Sequence, residues 1–185
     1  MNSLRFLSTN KFKIEEVRSI MSEINIEIIP VDHKINEIQT IDVSDLVYDK
    51  CIKAFQKVSR PIFVEHTSLH ISSLNKFPGG LTQVFWDTLE ADKVAEIFGR
   101  MSDPSVKATT RIAFCDGKKV HQFEGEIEGN ISSEPRGNKD FQWDCIFIPN
   151  GKKQTFAEMG DEKNNISMRR LALEKFANFL KSDMK

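Results

Sequence analysis

The chain has 185 residues, of which 39% are hydrophobic and 29% are charged, and its formal net charge is -1. This composition is typical of a soluble globular protein with a substantial core, and we expect one domain over residues 1–185. The near-neutral charge argues against a nucleic-acid-binding protein, and no apolar run suits a signal peptide or a membrane span. Widely spaced cysteines in apolar surroundings predict buried, reduced thiols in a cytoplasmic protein: Cys51, Cys115 and Cys145.

The start of the chain predicts a strand, a polar turn and a helix. An apolar run at residues 4–7 leads into Ser8, Thr9 and Asn10, and helical spacing follows at Ile14, Val17 and Met21. Such a turn presents free backbone N–H groups and the positive end of a helix dipole. Two interpretations remain open: a phosphate cradle assisted by Lys11 and Lys13, or a helix capped by Thr9 or Asn10 with solvated lysines.

The next elements are a second strand and a second helix. Residues 26–31 are apolar and β-branched, and the polar segment after them carries Glu37, a loop carboxylate that nothing nearby marks. Lys50 falls at the edge of the apolar arc of the helix, where its ammonium either reaches out to water or points into a cleft. The arc itself consists of Val43, Val47, Cys51, Ala54 and Val58.

A buried strand is expected at residues 61–64, with a polar group of side chains directly after it. Polar residues at a strand end are typical of the active-site rim of an α/β protein. The residues concerned are Glu65, His66, Thr67 and Ser68.

The second half of the chain predicts two short helices, a hairpin and a final helix. The helices are expected at residues 81–89 and 94–98, and the hairpin strands at residues 107–114 and 119–127, joined by an Asp-Gly turn. The last helix is amphipathic. Together these elements predict a single compact α/β unit. The apolar side of the last helix carries Leu173, Phe176, Ala177 and Leu180.

The segment between the hairpin and the last helix is unusual because aromatic side chains stand beside a turn. Phe141 and Trp143 are two residues apart, Asp144 follows, and residues 145–148 predict a short buried strand. On an extended segment the two rings share one face, with Asp144 turned the other way. The pair therefore either stacks on a base beside a polar edge or anchors the core.

Motifs in a fixed order extend over nearly the whole chain. They are Ser8-Thr9-Asn10 with Lys13 and Glu15-Glu16-Val17, Lys50-Cys51, Val64-Glu65 with Thr67, Phe77-Pro78-Gly79, Phe123 to Gly125, Pro135-Arg136-Gly137, Asp140-Phe141 with Trp143-Asp144, Thr155 to Met159, Glu162-Lys163-Asn164, and Ser167 with Arg169. In this order and spacing they resemble the inosine triphosphate pyrophosphatase family, hydrolases that clear ITP, dITP and XTP. The chain resembles a divergent member of that family.

The resemblance implies an elongated α/β fold in which two lobes surround a mixed, twisted sheet, and it implies a homodimer. The nucleoside triphosphate substrate would lie in the cleft between the lobes with Mg²⁺ on its phosphates. Water would attack the α-phosphorus and release pyrophosphate and a monophosphate. Such a reaction needs cations, N–H groups and a metal more than a nucleophilic side chain.

The positions that match the functional residues of the family fall into three groups. Phosphate contacts match Ser8, Thr9, Asn10, Lys13 and Lys50. The base pocket matches Phe141, Trp143, Asp144, Lys163, Ser167, Met168 and Arg169. The metal matches Glu37 and His66, and the catalytic chemistry matches Glu65, His66 and Lys50.

Two of these positions depart from the family pattern. His66 stands where the family has an aspartate, and Met168 stands where it has a histidine. A neutral imidazole accepts a proton near pH 7 or ligates Mn²⁺, Co²⁺ or Zn²⁺, but it does not supply the lost negative charge. A thioether donates no hydrogen bond to a base, so base choice should relax or shift. Gln142 and Cys145, in place of a usual Gly and Pro, alter the loop that frames the base.

Three hypotheses follow. The first is an active nucleoside triphosphate pyrophosphatase with altered base or metal preference, in which Glu65 and His66 share the work of the missing aspartate. The second is a nucleotide-binding relative with little or no turnover. The third is a different hydrolase, or a glycosidase, that acts on nucleotides in the same cleft.

Overall fold

A computed structural model describes residues 3–183, which form a mixed sheet covered by α-helices. The α/β class predicted from the sequence is confirmed. In chain order the elements are β1 (Ser3–Leu7), α1 (Lys11–Ser22), β2 (Glu27–Val31), α2 (Val43–Val58), β3 (Ile62–Ile71), α3 (Thr82–Phe98), β4 (Ser105–Cys115), β5 (Val120–Ile131), β6 (Phe147–Pro149), α4 (Phe156–Met159) and α5 (Met168–Asp183).

The sheet has six strands in the described residues, in the order β2-β1-β3-β4-β5-β6. Strand β1 is parallel to both of its neighbours, β2 and β3, and the pairs β3–β4, β4–β5 and β5–β6 are antiparallel. The register of β1 on β3 pairs Arg5 with Ile62 and Phe6 with Phe63, whereas β4 pairs with β3 as far as Ile71. Beyond Phe63, therefore, β3 has an edge that β1 does not cover.

Two lobes share the long strands β3, β4 and β5. In the first lobe, α1 and α5 pack on one face of the sheet and α2 on the other, around separate apolar clusters that include Phe63 and Val64, respectively. In the second lobe, α3, α4 and β6 close a third cluster around Leu69 and Phe147. Consecutive residues of β3 alternate between faces, so Phe63 and Val64 belong to opposite sides.

Local sequence explains most of the helix boundaries. The Asn10 side chain accepts a hydrogen bond from the Lys13 N–H at 3.1 Å, and Asp42 caps α2 in the same way at 3.0 Å. In the hairpin, the Asp116 carboxylate accepts hydrogen bonds from two backbone N–H groups, and Gly117 has φ +101°. The Asp-Gly turn predicted for this hairpin is confirmed.

Three boundaries differ from the predictions. Strand β3 continues to Ile71 instead of ending before Glu65, because β4 pairs with it throughout. Residues 142–145 form a 3-10 turn, so β6 begins at Phe147. The two short helices expected between residues 81 and 98 join at Glu90, whose φ of 56° and ψ of 175° break the helical path.

None of the helices in residues 3–183 combines the length and the apolar composition needed to cross a membrane.

Candidate active site

A charged cleft of about 650 Å³ opens where β1 leaves the edge of β3. Its walls come from the β1–α1 turn, the segment before α2, the middle of β3 and the start of α3. Eight of the residues singled out from the sequence meet there: Ser8, Thr9, Asn10, Lys13, Glu37, Lys50, Glu65 and His66.

The β1–α1 turn is held by its own side chains. The Ser8 hydroxyl accepts a hydrogen bond from the Asn10 N–H at 3.2 Å, and Asn10 in turn caps α1. The sequence left two interpretations of this turn open, a helix cap and a phosphate cradle. They are compatible, because the turn that caps the helix also lines the cleft. The first-turn N–H groups and the helix dipole favour an anion at this position.

Two lysines reach the cleft from different helices. Lys13 pairs with the Glu65 carboxylate at 2.8 Å, and burial lowers the pKa of Lys13, although the Glu65 charge opposes this effect. Lys50 pairs with Glu37 at 2.6 Å and also donates to the Glu65 backbone carbonyl at 3.3 Å. The Lys50 ammonium thus points into the cleft instead of reaching out to water.

Glu37 is the acidic side chain nearest to His66. Burial alone would raise the pKa of Glu37, yet the neighbouring His66 and Lys50 together lower it to about 2. His66 lies with its Nδ1 3.7 Å from Glu37, and its Nε2 is buried without a hydrogen-bond partner. Burial lowers the pKa of His66, so the imidazole is neutral at pH 7. A neutral ring with a lone pair is a proton acceptor or a metal ligand.

An ion-pair chain of alternating charge runs from the charged cleft through the interior. Arg169 is 1% exposed and joins the two halves of this ion-pair chain. It pairs with Glu65 at 2.8 Å and, on its other side, with Glu16. Lys163 then pairs with Glu16 at 2.5 Å and with Asp144. In order, the chain consists of Lys13, Glu65, Arg169, Glu16, Lys163 and Asp144.

The chain ends at an aromatic cavity of about 560 Å³, which lies on the other side of the start of α1. Phe12, Phe141 and Phe156 supply its apolar surface. Lys163 lies 4.3 Å from the centroid of the Phe141 ring, a cation–π distance. Burial raises the pKa of Asp144 to about 6, even though Lys163 opposes this effect. The cavity therefore combines flat apolar faces with a polar edge.

The expectation that Phe141 and Trp143 share one face of an extended segment is wrong. The 3-10 turn at residues 142–145 sends the two rings in different directions. Trp143 is 2% exposed and packs edge-on against Phe147 in the core of the second lobe. Phe141 alone of the two lines the aromatic cavity, with Trp143 behind its wall as the core anchor that the sequence also allowed.

Three further residues that match the base pocket of the resembled family are buried and do not line the aromatic cavity. Ser167 accepts a hydrogen bond from the Arg170 N–H at 3.2 Å in the first turn of α5 and is buried. Met168 belongs to the apolar cluster of the second lobe. The Arg169 guanidinium binds Glu16, Glu65 and Thr67. Their side chains are turned inward because α5 packs this turn against the sheet.

Two residues of α1 received no functional role from the sequence, although Glu16 belongs to one of the motifs. Glu16 lies among the buried positions of the helix, next to Val17 and Ile20, although it carries a charge. Phe12 shows the opposite anomaly, since this aromatic residue is 45% exposed on the polar side of the helix. A charge on the apolar arc and an aromatic ring outside it were the available signals.

The fold and the two cavities define an α/β protein whose site has two parts. One is a cleft whose lysines and helix N-terminus favour an anion, and the other is an aromatic cavity. The Ham1 family model matches residues 4–179, and the chain belongs to this family. It is 36% identical over 95% of its length to the dITP/XTP pyrophosphatase of Saccharolobus solfataricus, 92% of which is covered. It is 34% identical over 99% of its length to the inosine triphosphate pyrophosphatase of Schizosaccharomyces pombe, 97% of which is covered.

Solved structures agree with the fold. A HAM1 protein from Coxiella burnetii superimposes with a TM-score of 0.82 at 25% identity, covering 98% of this chain and all (100%) of that one. The Staphylococcus aureus Ham1 protein gives a TM-score of 0.79 at 21% identity, with 98% and 99% of the two chains covered. The mixed six-stranded sheet is therefore that of the family.

Proposed function

We propose that this protein is a nucleoside triphosphate pyrophosphatase that hydrolyses purine-type nucleotides such as ITP, dITP and XTP to the monophosphate and pyrophosphate. Curated relatives of similar length carry the names dITP/XTP pyrophosphatase and inosine triphosphate pyrophosphatase. The observation that carries the proposal is the position of the two cavities on either side of the start of α1. A nucleotide laid across this helix end has its phosphates in the charged cleft and its base in the aromatic cavity.

The triphosphate is bound by the β1–α1 turn and two lysines. Ser8, Thr9 and Asn10 line the cleft together with the helix N–H groups, and Lys13 and Lys50 extend into it. Each lysine already has a carboxylate partner, so its ammonium is held in place before the substrate arrives. Fixed cations of this kind stabilise the charge that develops on phosphate oxygens during transfer.

Glu37 and His66 fit a divalent cation that is carried in on the triphosphate. Within residues 3–183, no three His, Cys, Asp or Glu side chains are grouped to enclose a metal. Mg²⁺ on a nucleotide needs only one or two protein ligands besides phosphates and water, and the Glu37 carboxylate suits it. The Nε2 of His66, which is buried without a hydrogen-bond partner, would suit Mn²⁺ as a nitrogen donor, but a metal-bound Nε2 would no longer accept a proton. The bound cation supplies charge neutralisation at the phosphates.

The proton of the attacking water goes to His66. Its imidazole is neutral at pH 7, its Nε2 has no hydrogen-bond partner, and the residue lines the charged cleft. Oxygen attack on the α-phosphorus then forms the monophosphate and breaks the bond to pyrophosphate, which leaves with the other two phosphorus atoms. Glu65 is an ionised carboxylate engaged by Lys13 and Arg169, so its role is to position these cations.

The base is held by Phe141 on its face and by Asp144 and Lys163 at its edge. Phe141 lines the aromatic cavity, and the two charged groups pair with each other beside it. Trp143, Ser167, Met168 and Arg169 support this wall from behind. Because Met168 lies in the core, a change of base preference depends on the residues that line the cavity.

We also propose that the protein is cytoplasmic and that it forms a homodimer. Cys51, Cys115 and Cys145 are buried free thiols, which suits a reducing compartment. Phe85 and Trp86, the exposed apolar pair that a dimer contact would need, are half-buried against the core of the second lobe, so the homodimer rests on the resemblance to the family. Sedimentation at micromolar concentration tests the dimer.

The test of activity is the release of pyrophosphate from ITP, dITP, XTP and the standard nucleotides, with Mg²⁺ and Mn²⁺ in turn. We expect pyrophosphate and the monophosphate from the ITP-like substrates, with no free phosphate or free base. A free base would identify a glycosidase, and the absence of any product would eliminate the pyrophosphatase.

The alternative is a nucleotide-binding protein with little turnover. It is favoured by one observation: Glu65 and Glu37, the two acids of the charged cleft, both pair with lysines, and His66 supplies no negative charge. The test is His66→Asp, assayed for pyrophosphate release and, by calorimetry, for ITP binding. The alternative is supported if the wild type binds ITP without hydrolysing it and His66→Asp gains activity. An inert variant that also fails to bind ITP contradicts it.

A further inference from the structure

Phe12 and Phe141 lie at the junction of the two cavities. Both line the aromatic cavity, whereas their neighbours in sequence, Lys13 and Gln142, line the charged cleft. A ligand that occupies both cavities must therefore pass this pair of rings. The ring centroids are 5.3 Å apart, and the planes are tilted by 33°.

The exposure of Phe12 has no explanation in the packing of the core. Its side chain is 45% exposed, and it belongs to none of the three apolar clusters formed by the described residues. Its aromatic contact is with Phe141, the ring that also lies under the Lys163 ammonium. An exposed aromatic residue beside a cavity indicates a binding surface more than a structural one.

We propose that Phe12 is the second aromatic face of the base site, so that a purine lies between the rings of Phe12 and Phe141. The inference rests on the proposed function. Atoms in contact are about 3.5 Å apart, so a base between two rings needs a separation of about 7 Å. Phe12 must therefore move outward from the observed 5.3 Å, which its exposed position allows. Stacking on both faces provides affinity, while the polar edge at Asp144 and Lys163 determines which base binds.

The experiment compares Phe12→Ala and Phe12→Tyr with the wild type by calorimetry. The probes are inosine monophosphate, which has a base, and tripolyphosphate, which has none. We expect Phe12→Ala to weaken binding of the monophosphate about ten-fold and Phe12→Tyr to leave it nearly unchanged, because stacking of a base on an aromatic ring contributes to affinity and tyrosine keeps the ring. Tripolyphosphate binding should not change in either variant.

The matched control is Tyr48→Ala, which removes an exposed aromatic ring from α2, outside both cavities. Thermal unfolding of each variant checks that it is folded. A fluorescent probe adds a direct readout: the emission of a 2-aminopurine nucleotide, quenched by stacking in the wild type, should recover in Phe12→Ala.

Several outcomes overturn the inference. If Phe12→Ala binds inosine monophosphate as tightly as Tyr48→Ala does, the ring does not contact the base. If tripolyphosphate binding falls in parallel, Phe12 supports the turn and not the base. In both cases the wild type still binds the nucleotide, so the proposed function stands. A wild type that binds neither probe removes the proposed function, and the inference falls with it.

Discussion

Asp144 lies at the end of the ion-pair chain, where burial and Lys163 act on its carboxyl group in opposite directions. Burial prevails and raises its pKa to about 6 from an ordinary value of 3.8. Lys163 compensates only in part because it is shared with Glu16. His66 shows a related effect, since burial lowers its pKa and leaves the ring uncharged at pH 7. At the residue scale, burial therefore keeps His66 uncharged, whereas neighbouring groups keep Glu37 ionised against the effect of burial.

The raised pKa of Asp144 predicts a pH-dependent cost to stability. The folded protein holds this proton more tightly than the unfolded chain does, so its contribution to stability falls as pH rises from about 4 to about 6. Asp144→Asn removes the titration. The difference in unfolding free energy between the variant and the wild type should therefore shift in favour of the variant by on the order of 2 kcal/mol from pH 4 to pH 7.

The measurement is urea unfolding of both proteins at several pH values. Taking the difference between them at each pH cancels the opposite slope that carboxylates with lowered pKa values, such as Glu37, contribute to both proteins. Parallel curves between pH 4 and pH 7 would contradict the raised pKa.

Helix α3 shows how a single residue shapes an element. Glu90 has φ 56° and ψ 175°, a region of backbone space that is nearly restricted to glycine, and it divides the helix into two segments. Both segments pack against the core of the second lobe, through Phe85 and Leu89 before the break and Val94 and Phe98 after it. The break lets both apolar faces reach the same cluster, although the residue at the break is strained.

We expect Glu90→Gly to stabilise the protein, because glycine adopts this conformation without strain. The gain should be about 1 kcal/mol, which is the strain released minus the entropy that glycine loses on folding. The matched control is Glu96→Gly in the helical second segment of α3, which should cost about 1 kcal/mol. Thermal unfolding of both variants is sufficient, and a loss of stability in Glu90→Gly would show that its backbone is not strained.

Gln142 is a second residue with positive φ, at 44°, and it directly follows Phe141. Its side chain donates a hydrogen bond to Gln83 at the start of α3 at 2.6 Å. This bond ties the turn at residues 142–145 to α3, and both glutamines line the charged cleft. The conformation of this turn sets the direction of the Phe141 ring.

At the scale of the whole molecule, the ion-pair chain connects the two lobes through the site. Lys13, Glu16 and Arg169 belong to helices of the first lobe, and Asp144 belongs to the turn that packs in the second. The chain holds three positive and three negative side chains in alternation, so each buried charge has an opposite neighbour. Removing Glu16 leaves the buried Arg169 and Lys163 with one carboxylate partner each instead of two, which is more costly than losing a surface pair.

Glu16→Gln tests this connection. It deprives both Arg169 and Lys163 of a charged partner, so we expect a loss of about 3 kcal/mol in unfolding free energy. Glu15→Gln, the exposed neighbour, should change stability by less than about 0.5 kcal/mol. Urea unfolding measures both variants. If Glu16→Gln and Glu15→Gln are equally stable, the ion-pair chain contributes little to the stability of the fold.

Features that depend on neighbours in sequence were predicted well. The Asn10 cap, the apolar arc of α2 and the Asp116-Gly117 hairpin turn follow from spacing and turn chemistry. The motifs that resemble the family also predicted that residues from Ser8 to His66 come together, and the structure places them around the charged cleft. Such features are set by the local backbone, so the sequence contains them directly.

The orientation of side chains between residues 141 and 169 follows less directly from the sequence. The sequence left Trp143 either against a ligand or in the core, and it lies in the core, because a 3-10 turn replaces the extended segment that its spacing suggested. Met168 and Arg169 matched family positions, yet the first turn of α5 faces inward. A one-residue change in backbone path reverses the face of a side chain, and periodicity does not report such a change.

The sequence by itself determined the α/β class, the order of the elements and most of the residues singled out around the charged cleft. Only the tertiary structure decided which charges meet, because the partners lie far apart along the chain. Arg169 and Glu16 are separated by 153 positions and become neighbours when α5 packs against α1. Helix packing, and not local preference, therefore joins the charged cleft to the aromatic cavity.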